Sequence, residues 1–113
     1  MKKYFEVPIC AVDYAFRRIG GKYKGRILWY LHSKKIMRYG ELRHTLSDIT
    51  SKMLTQTLRE LEHDCLVHRQ AYNEVPPKVE YCLTATGRQL IPFIDVLRVW
   101  GETQIQKEKM TCD

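Results

Sequence analysis

Residues 47–64 read SDITSKMLTQTLRELEHD, a polar turn followed by a leucine-patterned segment. Thr50 is a favourable helix N-cap, and leucines recur at positions 54, 58 and 61. This spacing predicts an amphipathic helix from Ser51 to about Asp64 with one apolar face. The preceding residues 40–46 contain two leucines and predict a shorter helix. A short helix, a tight turn and a longer helix together predict a helix-turn-helix over residues 40–64.

The opposite face of the longer helix is polar. At about 100° per residue, its hydroxyl, amine, amide and guanidinium groups lie within about 140° of one another: they belong to Ser51, Lys52, Thr55, Gln56 and Arg59. Such groups read base edges and contact phosphates in the major groove of DNA. The alternative is an ordinary solvated helix face, because these residue types are common on helix surfaces.

Two strands are predicted after this helix, in a wing spanning residues 67–84. Val67–Tyr72 is a plausible strand, residues 73–78 form a loop with two prolines, and Val79–Thr84 alternates apolar and polar side chains. Lys78 near the wing tip and Arg69 on the first strand are candidates for phosphate or minor-groove contact. The alternative for Lys78 is a solvated turn residue.

Two further arginines flank the short third helix. Arg38 and Arg43 are candidates for contacts with backbone phosphates. The alternative is a surface ion pair with a nearby acid such as Glu41.

Helices are also predicted on both sides of these elements. Residues 8–19 and Tyr23–Ser33 form two of them, and Thr84 caps a last helix over residues 85–106 with Pro92 inside it. An interior proline usually kinks a helix. The first and last helices carry more apolar surface than one small domain can cover, which predicts a homodimer. The candidate interface residues are Phe16, Phe93, Leu97 and Trp100.

The composition is that of a single globular domain over residues 1–113. The order of the predicted helices and strands places this domain in the mostly helical α+β class. The 113 residues carry a net charge of +6, and it is concentrated in residues 1–60, with thirteen Lys and Arg against five Asp and Glu. A basic half favours a polyanion, most often nucleic acid. The sequence has no apolar run that could span a membrane, and we expect a cytoplasmic protein.

No catalytic or metal-binding motif is present in the sequence. The four cysteines, at positions 10, 65, 82 and 112, have neither zinc-site nor CxxC spacing. We therefore expect no enzyme activity, no metal and no cofactor. A winged helix that contacts only proteins is the competing interpretation, although such modules often lose the positive charge that Lys52 and Arg59 retain here.

Four motifs in this order resemble the HxlR-type winged helix-turn-helix regulators, which are related to the MarR repressors. They are Gly21-Lys22-Tyr23, Arg38-Tyr39-Gly40-Glu41-Leu42, residues 49–54 leading into 58–62 (ITSKML and LRELE), and residues 75–87 (VPPKVEYCLTATG). The resemblance covers nearly all of residues 10–101. It implies a homodimeric, DNA-binding transcriptional regulator whose fourth helix is the recognition helix and whose first and last helices form the dimer. The two-fold symmetry of such a dimer predicts an inverted-repeat operator.

The resemblance also implies a sensing cysteine near the amino terminus, at the position of Cys10. A helix N-terminus favours a thiolate, and Arg17 and Arg18 would add to that field. The effector would be thiol-reactive, with Cys112 or Cys65 among the candidate partner thiols; the alternative is an inert cysteine at the dimer interface.

The sequence leaves two further features open. Cys65 stands where the family normally has glycine, so either the fourth helix ends differently or its end is strained. A regulator that senses a small aromatic ligand is another interpretation, with Phe16, Trp29, Tyr30 and Trp100 as lining residues, although aromatic side chains at these spacings are more often core.

Overall fold

A computed structural model describes residues 9–111, and side chains through residue 110. Along the chain the elements are α1 (Ala11–Ile19), α2 (Lys24–Lys34), β1 (Met37–Arg38), α3 (Tyr39–Thr45), α4 (Ser51–His63), β2 (Val67–Tyr72), β3 (Lys78–Leu83) and α5 (Ala85–Thr111). The chain is mostly helical with one small antiparallel sheet. The predicted α+β winged helix-turn-helix is therefore confirmed.

The sheet has the order β1-β3-β2, with β3 in the centre. β2 and β3 form the wing hairpin, in a register that pairs Val67 with Leu83 and Tyr72 with Lys78. β3 begins and ends one residue earlier than the alternation of apolar and polar side chains predicts. Thr84 therefore lies outside β3 and caps α5, as predicted: its hydroxyl accepts the Gly87 N–H at 2.9 Å.

The core lies where α2, α3, α4 and the sheet meet. The three leucines that define the apolar face of α4, Leu54, Leu58 and Leu61, are all buried, as are Leu42 and Leu46 around α3. Burying such side chains stabilises the fold by about 1.5–3 kcal/mol each. The polar face of α4 is consequently directed away from the core.

The end of α4 is held by a residue in the left-handed region. Cys65 has φ 61°, the Leu66 N–H donates to Leu61 O at 3.0 Å, and the Cys65 N–H donates to Glu62 O at 3.0 Å. This pair of bonds is the Schellman motif, in which glycine is the usual residue. The strained helix end, one of the two alternatives, is therefore the one observed, and the Cβ of Cys65 costs about 1–2 kcal/mol there.

The bounds of α2, α3 and α4 differ by one residue from the sequence prediction, and the larger differences are at the start of α1 and the end of α5. Ile9 and Cys10 are not helical, and α1 begins at Ala11 because Cys10 adopts an extended conformation, with ψ 117°; the predicted start at Pro8 lies outside the described residues. At the other end, α5 runs to Thr111 instead of residue 106. The residues after 106 include Lys, Glu and Met, which favour helix, and contain no glycine or proline. α5 also continues through Pro92; the kink there stays a prediction.

Candidate nucleic-acid interface

The start of α4 is fixed by two hydroxyl groups. Thr50 accepts the Met53 N–H at 3.1 Å, which confirms it as the N-cap. Tyr39, the first residue of α3, donates its hydroxyl to Ser51 O at 2.9 Å and lies 3.0 Å from the Thr55 hydroxyl. α3 therefore supports the first turn of α4 through a tyrosine side chain, which limits how α4 can tilt.

The turn between α3 and α4 is tied to α2 by ionic contacts. Arg26 donates to both carboxylate oxygens of Asp48, at 3.1 and 3.0 Å. The ammonium of Lys22 lies 3.5 Å from Oδ2 of the same carboxylate. The pKa of Asp48 is lowered to about 2, chiefly because Arg26 donates hydrogen bonds to its ionised form. Asp48 therefore stays charged at neutral pH, and the turn keeps a bidentate link to α2.

The exposed face of α4 brings together most of the predicted DNA-contact residues. Ser51, Lys52, Gln56 and Arg59 are exposed, whereas Thr55 is half-buried. Within residues 9–111, neither Lys52 nor Arg59 forms an ion pair with a carboxylate. Their charges are thus available to an external anion. Thr55 instead contacts Tyr39, so its hydroxyl is engaged within the protein.

A cleft of about 460 Å³ lies between α4 and the sheet. Arg59 from α4 and Arg69 from β2 both line it, together with Thr55 and Tyr39. These two arginines, ten positions apart in sequence, thus line the same concave surface, and the acidic residue Glu62 lines it as well. Two arginines in one cleft favour a phosphate there, because a guanidinium binds phosphate oxygens through two parallel N–H bonds.

Of the remaining basic candidates, Arg43 and Lys78 have side chains that contact other groups of the protein, and Arg38 is exposed. Lys78 is half-buried, with its ammonium 4.3 Å from the centre of the Tyr72 ring and 3.9 Å from Glu80. Arg43 donates to Ile49 O at 3.4 Å. Glu41 accepts the backbone N–H of Arg38 at 2.7 Å. In the described chain, Glu41 forms no ion pair with Arg38 or Arg43.

A second candidate surface is apolar and lies between α1 and α5. The predicted interface side chains are substantially exposed in the single chain: Phe16 56%, Phe93 65%, Leu97 48% and Trp100 64%. The first three line a groove of about 520 Å³ whose walls are almost wholly apolar. α1 buries none of its side chains. This face is therefore incompletely covered by the chain itself.

The four aromatic residues suggested for a small-ligand pocket do not come together. Phe16 lines the α1–α5 groove. Trp29 and Tyr30 are half-buried in a separate depression of about 340 Å³, where the Arg98 guanidinium lies 5.3 Å from the Trp29 ring. Trp100 lines neither of these two cavities. The geometry thus gives no single aromatic pocket built from these residues.

Cys10 is exposed and occupies the N-cap position of α1. Its carbonyl accepts the Tyr14 N–H at 2.9 Å. The two arginines invoked beside it are engaged elsewhere, because Arg17 contacts Asp13 at 2.8 Å and Arg18 lies 3.6 Å above the Tyr14 ring. Cys112 lies outside the described residues, and Cys65 is exposed.

Residues 18–109 match the family model described as HxlR-like helix-turn-helix. This chain belongs to that family. An HTH-type transcriptional regulator of Methanothermobacter thermautotrophicus is 47% identical over 94 residues, covering 83% of this chain and 71% of the relative. The chain is accordingly a transcriptional regulator of the helix-turn-helix type.

Solved structures of the redox regulator HypR are similar to this HxlR-like chain. The reduced form is 40% identical, with a TM-score of 0.83, and the match covers 89% of this chain and 99% of that one. The oxidised form is 45% identical, with a TM-score of 0.79, and the match covers 83% and 96%.

None of the helices within residues 9–111 is long and apolar enough to cross a bilayer. In the same region, His, Cys, Asp and Glu side chains do not cluster in threes as a metal site would need.

Sequence reasoning missed the residues that position α4 in this HxlR-like regulator. Tyr39 on α3 contacts the first turn of α4, and Arg26 on α2 holds Asp48 in the turn before it. Lys24 on α2 forms a 3.0 Å ion pair with Glu60 on α4. The signal available for Tyr39 was its place in the Arg-Tyr-Gly-Glu-Leu motif. The ionic partners had no local signal, because they are brought together only by folding.

Proposed function

We propose that this regulator binds duplex DNA sequence-specifically as a homodimer and inserts α4 into the major groove. The observation that carries the proposal is the exposed face of α4, where Lys52 and Arg59 have no carboxylate partner in the described chain and flank Gln56. Lysine and arginine would contact phosphates, and the amide would read a base edge. The capped first turn supports this use, because a recognition helix must be held rigidly.

The wing and the third helix would add contacts to the DNA backbone. Arg69 shares a cleft with Arg59 and would bind a phosphate jointly with it. Arg38, Arg43 and Lys78 would contact phosphates at the edges of the same surface. A two-fold dimer would hold two copies of α4 about 34–36 Å apart, which matches two half-sites one turn of DNA apart.

Selection from a pool of duplexes with a randomised central segment tests this proposal. We expect the purified chain to enrich an inverted repeat with half-sites spaced by about one helical turn. Its affinity for the enriched duplex should fall steeply with salt, since each neutralised phosphate contributes a slope of about −0.9. Enrichment of no consensus, or salt-independent binding, would instead support a winged helix that contacts only proteins.

Cys10 is the proposed point of redox or electrophile control. Its thiol is exposed at the start of α1, the helix that also lines the apolar groove. The similarity to HypR, a redox regulator with solved oxidised and reduced forms, supports this assignment. Two thiols would give two electrons and two protons to an oxidant and form a disulfide, or the Cys10 thiolate would add to a quinone. Either change would alter the position of α1.

Diamide treatment of native and Cys10→Ser chains tests this role. We expect diamide to change the DNA affinity of the native chain by about 5- to 150-fold, the usual range of coupling between two sites. Cys10→Ser should bind DNA normally and not respond, whereas the control Cys82→Ser should respond like the native chain. Equal responses in native and Cys10→Ser chains would assign sensing to another cysteine, and no response in either would leave Cys10 structural.

A further inference from the structure

The side chain of Gln56 is not free on the surface of α4. Its amide nitrogen Nε2 donates to Oε2 of Glu60, one turn further along the helix, at 3.2 Å. The other carboxylate oxygen of Glu60, Oε1, lies 3.0 Å from the ammonium of Lys24 on α2. A continuous chain of contacts therefore runs from α2 through Glu60 to the amide of Gln56.

The carboxylate determines which way the amide of Gln56 faces. An ionised carboxylate only accepts hydrogen bonds, so the amide must turn its NH₂ group toward Glu60. One N–H of Nε2 remains for another acceptor, and within residues 9–111 Oε1 of Gln56 accepts no hydrogen bond. One donor and one acceptor held side by side are the groups with which glutamine contacts N7 and N6 of adenine.

We propose that Glu60 is a positioning residue, which fixes the Gln56 amide for reading one base pair. This inference rests on the proposed function, because it assumes that α4 enters the major groove. A free glutamine must give up the motion of several torsions when it binds. Glu60 restricts those torsions before DNA arrives, so less ordering remains to oppose the contact with the base.

Lys24 makes an acidic residue tolerable on a surface that approaches phosphates. Its side chain is only 18% exposed, against 46% for Glu60, so the ammonium is held close against α4. The hydrogen bond from Lys24, followed by that from Gln56, lowers the pKa of Glu60. Glu60 therefore remains an acceptor at neutral pH, while the neighbouring ammonium offsets its charge.

Base-pair preference measured in two backgrounds tests the inference. Duplexes are selected from the same randomised pool with four chains: native, Glu60→Ala, Gln56→Ala and the double variant. The affinity of each chain is then measured for the enriched duplex and for its single-base-pair variants. We expect Glu60→Ala to reduce discrimination about three- to tenfold at one base pair, the range one hydrogen bond supports. That base pair should be the one whose preference Gln56→Ala removes.

The Gln56→Ala background is decisive, because a residue that acts through Gln56 has nothing to position once Gln56 is gone. Glu60→Ala should then cause no further loss. An equal loss in both backgrounds, or no loss in either, overturns the inference. If Gln56→Ala itself changes no preference, the assignment of α4 as the reading helix fails instead.

Glu62→Ala is the matched control, since it removes the same charge from the same exposed helix without contacting Gln56. It should change affinity for all duplexes by a similar factor, whereas a loss at the Gln56 base pair would overturn the inference. A measurement without DNA adds a second readout. The side-chain amide NMR signals of Gln56 should be displaced from free-glutamine positions in the native chain and return toward them in Glu60→Ala; no change would overturn the inference.

Discussion

Replacing Lys52, Gln56 and Arg59 together by alanine is expected to abolish sequence-specific DNA binding. Two cations and one base-reading amide would be lost from each α4. Since a good base contact alone contributes about 1–3 kcal/mol, affinity for the enriched duplex should fall by at least about a hundredfold. The salt slope should also become shallower by about 2 for each protomer. Binding isotherms at several salt concentrations measure both quantities.

Lys78→Ala is the comparison variant for this experiment. Lys78 lies at the loop end of the wing, where it pairs with Tyr72, and its ammonium also lies near Glu80. Its loss should weaken binding to all duplexes alike and reduce the slope by about 1 for each protomer. The triple variant keeps Leu54, Leu58 and Leu61, so its thermal unfolding should match that of the native chain. Unchanged DNA affinity in a folded triple variant would remove α4 from the interface.

The helix-turn-helix and the wing were predictable because their patterns are local. Leucine spacing defined the buried face of α4, Thr50 supplied its cap, and alternation after Pro77 identified β3 to within one residue. Each of these signals lies within a short segment, and burial of the same residues in the structure follows from it. The anomaly at Cys65 was visible through the resemblance, which places a glycine there, and the structure has Cys65 in the left-handed region that glycine favours.

The contacts that hold the side chains of the candidate site could not be predicted, because the residues that make these contacts come from separate parts of the sequence. A helical projection places Thr55 and Gln56 on the same polar face. It does not show that the Thr55 hydroxyl contacts Tyr39 or that the Gln56 amide donates to Glu60. The start of α1 was misplaced for a related reason. The predicted helix over residues 8–19 includes Ile9, yet the backbone at Cys10 is extended. Periodicity describes which side chains share a face and not where the backbone leaves the helix.

Replacing Leu97 and Trp100 by alanine is expected to convert the proposed dimer into monomers. Both side chains are large and exposed on α5, and Leu97 also lines the groove beside α1. A two-fold interface repeats each truncation, so four side chains are lost. Buried interface anchors of this kind often contribute 2 kcal/mol or more each, and the dimer dissociation constant should rise at least about a thousandfold. Sedimentation equilibrium across a concentration series measures it.

Ile36→Ala is the matched control, since Ile36 is comparably exposed but lies between α2 and β1, away from the groove. It should leave the dimer intact. A monomeric double variant should keep its helical circular dichroism, because the buried leucines around α3 and α4 are untouched, yet it should bind one half-site weakly. Each recognition helix alone contributes only half of the contacts, and the second half-site is no longer held at the matching distance. A native chain that sediments as a monomer at micromolar concentration would contradict the proposed dimer, and so would a folded double variant that stays dimeric.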